Sequence, residues 1–191
     1  MNTTKIDYKN IFYPPGGILI WILILLELFT FGIALIVLVV SSKENPSAYE
    51  ISASHLNSTF GAINTVFLLI SGFFMATSVH QFKTNDINKS KFYLKLTMLG
   101  GVLFLILKSI EYSQKINNGF VLGYDTFFNF YWLLTGFHVI HVLVGLIILL
   151  SMHRSISKQK AEIIDIEASA AFWHMCDLIW LLLFPILYLI F

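Results

Sequence analysis

Five separate stretches, about residues 18–40, 56–79, 92–110, 127–151 and 170–191, are long and apolar. The hydrocarbon core of a bilayer is about 30 Å thick, so roughly 20 helical residues cross it and each run suffices. In lipid a backbone must satisfy its own N–H and C=O groups, which makes a helix the expected form of all five. Composition agrees: 57% of the 191 residues are hydrophobic and 12% charged, against about a quarter charged in a soluble domain. The expected fold class is therefore all-α, an integral membrane bundle of five transmembrane helices in one membrane domain over residues 1–191. Connectors 41–55, 80–91, 111–126 and 152–169 are short and polar, and none is large enough to fold alone. A net charge of +1, with the lysines grouped beside the spans, argues against nucleic acid as a partner. The single Cys176 lies in an apolar run and reads as a small buried hydrophobe.

The polar residues 1–10 are followed by Pro14-Pro15-Gly16-Gly17. The run after them is too long for a signal-peptide core and has no small-residue cleavage site, so it reads as a retained span. The prolines suit a break before the helix, and the glycines let the chain turn in at the membrane surface. The second run carries Asn57, Ser58, Thr59, Asn64, Thr65, Ser71, Thr77 and Ser78, and is expected to be an inner helix. Lys5, Lys9, Lys83, Lys89, Lys91, Lys95, Arg154, Lys158 and Lys160 fall on one side of the five spans, against Lys43, Lys108 and Lys115 on the other. The positive-inside rule then places the N-terminus in the cytoplasm and Phe191 outside, for a bacterial plasma (inner) membrane. The acidic residues Glu162, Asp165 and Glu167 read as the solvated approach to the last span.

Glu27 lies inside the first run. Counted from Ile18 it sits roughly 13 Å deep. An ionisable group at that depth costs at least a few kcal/mol unless paired, hydrated or protonated, so a function is the default hypothesis. His138 and His141 share a helix face, as do His174 and Asp177, each pair three residues apart. With adjacent helices antiparallel, His141, His174 and Asp177 come to the level of Glu27, and a buried cluster is expected. Three roles compete for it. Histidines and carboxylates suit haem or non-haem iron, although the Glu-x-x-His pairs of di-iron bundles do not occur. The same groups suit a proton relay. Interhelical hydrogen bonds that hold the bundle, at about 1 kcal/mol each, are the commoner use.

Elsewhere the bland reading leads. Lys108, Glu111 and Lys115 are helix neighbours and read as ordinary ion pairs at an outer helix end. Trp21, Trp132, Trp173 and Tyr188 read as interfacial anchors or packing residues. Gly136 and Gly145 each offer a close helix approach, and Pro185 predicts a kink in the last helix. No glycine-rich phosphate loop or nucleophile elbow occurs.

Taken in order, several motifs resemble subunit III of the haem-copper respiratory oxidases (cytochrome c oxidase). The stretch from Trp21 to Gly32, with Glu27 inside it, is similar to the family's membrane-embedded glutamate helix. Asn64-Thr65, Ser71-Gly72 and His80 resemble the next helix, and Glu111-Tyr112 the end of the following one. The most specific matches are Thr135-Gly136-Phe137-His138 with His141 and Gly145, then Trp173-His174 with Asp177, Trp180-Leu181 and Tyr188. The resemblance covers nearly all of the chain after Tyr13. It implies a short five-helix member that binds no haem, copper or other metal itself. It further implies docking on catalytic subunit I, and subunit II as a companion, with haem and copper held there. Bound phospholipid is implied as well, together with support of proton uptake and of sustained turnover in aerobic respiration. Glu27 would be the family's carboxyl-reagent-sensitive glutamate.

Seven-helix members carry two further N-terminal helices that wall a lipid cleft, so any such cleft here needs helices from another subunit. Met175-Cys176 and Ser169-Ala170-Ala171 stand where bulkier aromatic or acidic sequences are common, which alters packing against neighbours. Two alternatives stay open. The first is the similar subunit III-like protein of nitric oxide reductase clusters, which Pro15-Gly16 before a tryptophan-bearing span also fits. The second is a stand-alone membrane haem protein, which predicts a Soret band from the chain purified alone.

Overall fold

In the computed structural model, which describes residues 14–191, every regular element is helical: α1 (Ile18–Ser42), α2 (Pro46–Ser54), α3 (Ser58–Lys83), α4 (Ile87–Asn117), α5 (Thr126–Ser157) and α6 (Ile163–Tyr188). All but α2 are long and apolar enough to cross a membrane. The polar residues 1–10, with Lys5 and Lys9, lie outside the described residues.

Capping side chains fix where the helices start. Asn57 accepts from the backbone N–H groups of Thr59 and Phe60, and Asp125 from that of Phe128 at 2.6 Å. Asp86 accepts from Lys89 N–H and also pairs with Lys89 Nζ at 2.9 Å, which holds its carboxyl below the usual carboxylate range. Each cap satisfies amide groups that a helix start would otherwise leave bare. Asp165 reaches back to the N–H of Glu162 in a capping box, so the last helix begins seven residues before position 170. Glu162 and Asp165 of the acidic stretch are exposed, as a solvated approach requires, but Glu167 is not. The stretch forms the first turns of α6, where Glu167 is buried and meets Lys83 at 2.6 Å.

Three helices end in the same way, with a left-handed residue and a hydrogen bond running back five residues. Asp86 donates to Gln81 O after α3, Phe120 to Lys115 O after α4, and Lys160 to Ser155 O after α5. The left-handed positions are Asn85, Gly119 and Gln159, the last at φ 55°. A glutamine there costs about 1–2 kcal/mol in crowding of its Cβ. Gln159→Gly is therefore expected to raise the thermal midpoint of the purified protein, while Gly119→Gln lowers it. Equal midpoints for the two would refute the account.

The connector 41–55 contains α2, which Pro46 starts and which lays Tyr49, Ser52 and Ala53 against the bundle. Ser52 Oγ donates to Asp125 Oδ2 at 2.5 Å, tying α2 to the start of α5. At the other end Gly16 brings the chain against α6, where a Cβ would come within 2.7 Å of Ala168 Cα. Trp21 and Trp132 hydrogen-bond to the carbonyls of Pro15 and Phe120 near opposite helix ends, as interfacial indoles do.

The central helix is α6, packed against α1, α3 and α5, and α3, expected as an inner helix, packs on both α4 and α6. Asn64, Ser71 and Ser78 of α3 do face inward, but Ile63, Val66, Leu69, Ile70 and Phe73 are exposed. Thr65 and Thr77 donate to the carbonyls of Gly61 and Phe73 one turn back. Thr77 thus spends its hydroxyl on its own helix, whereas Thr65 also accepts from the Trp180 indole of α6 at 3.0 Å. Trp173 of α6 locks the centre: its indole donates to Ser71 Oγ at 3.0 Å, and Ser71 donates to Thr97 O at 2.8 Å.

Candidate functional site

The helix phases divide the expected single cluster into two pairs and a lone ring. Glu27 and His141 join α1 to α5, with Glu27 Oε2 3.2 Å from His141 Nε2. His141 Nδ1 lies 2.8 Å from Phe137 O, and a carbonyl only accepts, so that nitrogen carries a proton. The gap between Nε2 and the carboxyl then holds one proton at most in a stable arrangement. It sits on Glu27 beside a neutral imidazole, or on His141 beside a carboxylate. Phe31 and Phe137 flank the imidazole at ring centroid distances of 5.7 and 4.6 Å. The surroundings are apolar, and the Glu27 side chain is 23% exposed. Glu27 Oε2 has no aligned hydrogen-bond partner among the described residues, so the pair is an acid and a base in close contact, not a formed hydrogen bond.

His174 and Asp177 pair within α6, Nδ1 to Oδ2, at 3.4 Å, against Gly72 of α3. They face a different side of α6 from Glu27 and do not join it. His138 joins neither pair, because the three-residue step turns it inward while His141 points at α1. It is fully buried, 5.4 Å from the Trp180 ring and edge-on to Phe104, and neither ring nitrogen has a hydrogen-bond partner among the described residues. Asn64 is likewise buried with both amide atoms unpartnered there. Among the described residues no three His, Cys, Asp or Glu side chains come together as a metal-ion site.

The largest polar assembly is one that sequence reasoning passes over. Lys108 and Glu111 are each 1% exposed, sealed where α4, α5 and α6 meet. They are not an ion pair at a helix end, because α4 runs on to Asn117. Lys108 Nζ spends its three N–H groups on Glu111 Oε2 at 3.0 Å, Tyr131 Oη at 3.2 Å and Tyr188 Oη at 2.7 Å. Both tyrosine hydroxyls donate onward to Glu111 Oε1, at 3.0 and 2.7 Å. Every donor is used, and Nζ also lies within 5.4 Å of the rings of Tyr112, Tyr131, Trp180 and Tyr188. Tyr112 itself donates to Thr135 Oγ1 at 2.9 Å, and Lys115 donates to the His55 carbonyl. Two charges three apart beside an apolar run are the signal, and a span ending at residue 110 makes them look like a helix end, whereas α4 continues to Asn117.

The glycines sort by what faces them. Between Gly101 and Gly145 lies the Trp173 indole, with ring atoms 2.5 Å and 2.9 Å from the positions their Cβ atoms would take. Gly136 meets nothing within 4 Å. Instead of admitting a close helix it borders an apolar groove of about 440 Å³ between α1 and α5, with Phe31, Ala34, Trp132 and Ile140.

Residues 46–190 match the family described as Cytochrome c oxidase subunit III. The chain is similar to cytochrome c oxidase subunit 3 of Rhipicephalus sanguineus, 36% identical over 132 residues, or 66% of this chain and 49% of that one. It is similar to cytochrome c oxidase subunit 3 of Corynebacterium diphtheriae, 27% identical over 148 residues, 75% and 71% of the two chains. Cytochrome bo(3) ubiquinol oxidase subunit 3 of Buchnera aphidicola is 28% identical over 173 residues, 89% and 91%. The match therefore spans about half the length of the Rhipicephalus protein and most of the bacterial ones.

Proposed function

The chain belongs to the cytochrome c oxidase subunit III family, and from this we propose that it is a non-catalytic subunit of a haem-copper terminal oxidase. It docks on catalytic subunit I with subunit II nearby, and the haem and copper are theirs. It lies in a bacterial plasma membrane with the N-terminus in the cytoplasm, the orientation that the positive-inside rule favours. The apolar groove between α1 and α5 suits a phospholipid acyl chain. Glu27 supports proton uptake by the complex. The observation that carries this role is the Glu27–His141 pair, an acid and a base 3.2 Å apart inside a membrane span. Polar groups at that depth are costly and are characteristic of proton and ion pathways.

Glu27→Gln keeps the size and a hydrogen-bonding end but removes the titratable proton. In the assembled complex it is expected to leave subunit yield unchanged and to shorten the active lifetime during turnover several-fold. An unchanged lifetime would eliminate the proton role. Metal analysis of the complex isolated through this chain checks the partner: haem with copper is expected. A copper-free complex that reduces nitric oxide would favour the nitric oxide reductase alternative.

A further inference from the structure

His174 and Asp177 are left in a position that lipid alone cannot satisfy. His174 lies eleven residues into α6, about 16 Å along the helix, and its side chain is 44% exposed. Asp177 is mostly buried beneath it, and its Oδ1 has no partner among the described residues. Around them α3 and α6 form a groove of about 380 Å³ whose other walls are Leu69, Phe73, Ala76, Leu178 and Leu181. Acyl chains neither donate nor accept hydrogen bonds, so an exposed imidazole facing them keeps its full desolvation penalty. A lipid headgroup does not reach this depth. Gly72 and Ala76 are one turn apart on α3, and any side chain at 72 would run into Asp177 Oδ2. Gly72 thus makes room for Asp177 itself, whereas the small, exposed Ala76 leaves space for another backbone to approach beside the His174 ring.

We propose that this groove is the face on which a transmembrane helix of the haem-bearing subunit docks, and that the helix presents a hydrogen-bond donor, a hydroxyl, amide or indole, to the exposed His174 ring, whose Nδ1 is turned to Asp177. The proposal rests on the reading of the chain as an oxidase subunit and adds the face it uses. Charge complementarity selects the occupant: an exposed imidazole amid apolar walls calls for a polar side chain carried on an apolar helix. A second copy of this chain fits less well. A groove accepts a ridge, and two identical grooves meeting about a two-fold axis leave both unfilled.

The test uses the complex isolated from native membranes through a tag on this chain. Ala76→Trp fills the groove from an exposed position, and His174→Leu removes the exposed ring. Each is expected to lower co-purified haem about tenfold or more, the ratio that corresponds to about 1.4 kcal/mol of association energy. Ile147→Trp, on the 67% exposed face of α5, is expected to keep wild-type haem. A photoreactive phenylalanine replacing Ala76 should cross-link to the haem-bearing subunit. It carries the test if the tryptophan variant fails to accumulate. Wild-type haem retention by both groove variants, or adducts only with lipid or a second copy, would overturn the proposal. Haem lost through Ile147→Trp but not Ala76→Trp would overturn this face while leaving the oxidase reading intact. A wild-type complex without haem would remove both.

Discussion

Lys108→Met is expected to destabilise the bundle by about 3–5 kcal/mol, the usual cost of stripping one partner from a buried ion pair. It leaves Glu111 buried at 1% exposure with only two tyrosine hydroxyls for company. Tyr131 and Tyr188 lose the donor that orients them, so α4, α5 and α6 loosen together. The double change Lys108→Met with Glu111→Gln is expected to recover most of the loss. It removes the charge, while the amide oxygen still accepts from the hydroxyls. Thermal unfolding of the detergent-solubilised protein reads both effects. A single variant as stable as wild type would show that water reaches the cluster and that its closure is not what holds these helices.

Trp173→Ala is expected to cost a similar amount, about 3–5 kcal/mol for an aromatic side chain removed from a packed interior. The indole is fully buried and occupies the slot that Gly101 of α4 and Gly145 of α5 leave open, so neither helix can close the cavity with a side chain of its own. Trp173→Phe keeps most of the volume and loses chiefly the bond to Ser71, for about 1 kcal/mol. The ordering of the three proteins in unfolding midpoint is the measurement. If alanine proves no worse than phenylalanine, the indole is not what spaces α4 from α5.

The two variants also show where sequence reading succeeds and where it stops. Trp173, Gly145 and Asp177 stand out in the sequence by type and spacing, and the structure gives each a definite place. The slot for Trp173 is not visible there, because Gly101 carries no signal of its own and comes from a different helix. Lys108 and Glu111 are legible as a pair in the sequence, but their surroundings are not. An i, i+3 pair looks the same at a wet helix end as in a sealed interior; Tyr131 and Tyr188, 20 and 77 residues from Glu111, make the difference. His138 and His141 mislead in the opposite sense. Three residues apart on one helix, they still part company, one toward Trp180 and one toward Glu27.

From the chain alone came the spanning helices, their order and the depth of Glu27, because each follows from a run of apolar residues and a backbone that must bond to itself in lipid. Only the tertiary structure chose partners: Glu27 with His141, Asp177 with His174 beside Gly72, Lys108 with three side chains on three helices. Hydropathy is a property of a segment, whereas the rotation of one helix against another is decided by packing across the bundle, and it is that rotation which puts one acid beside one base.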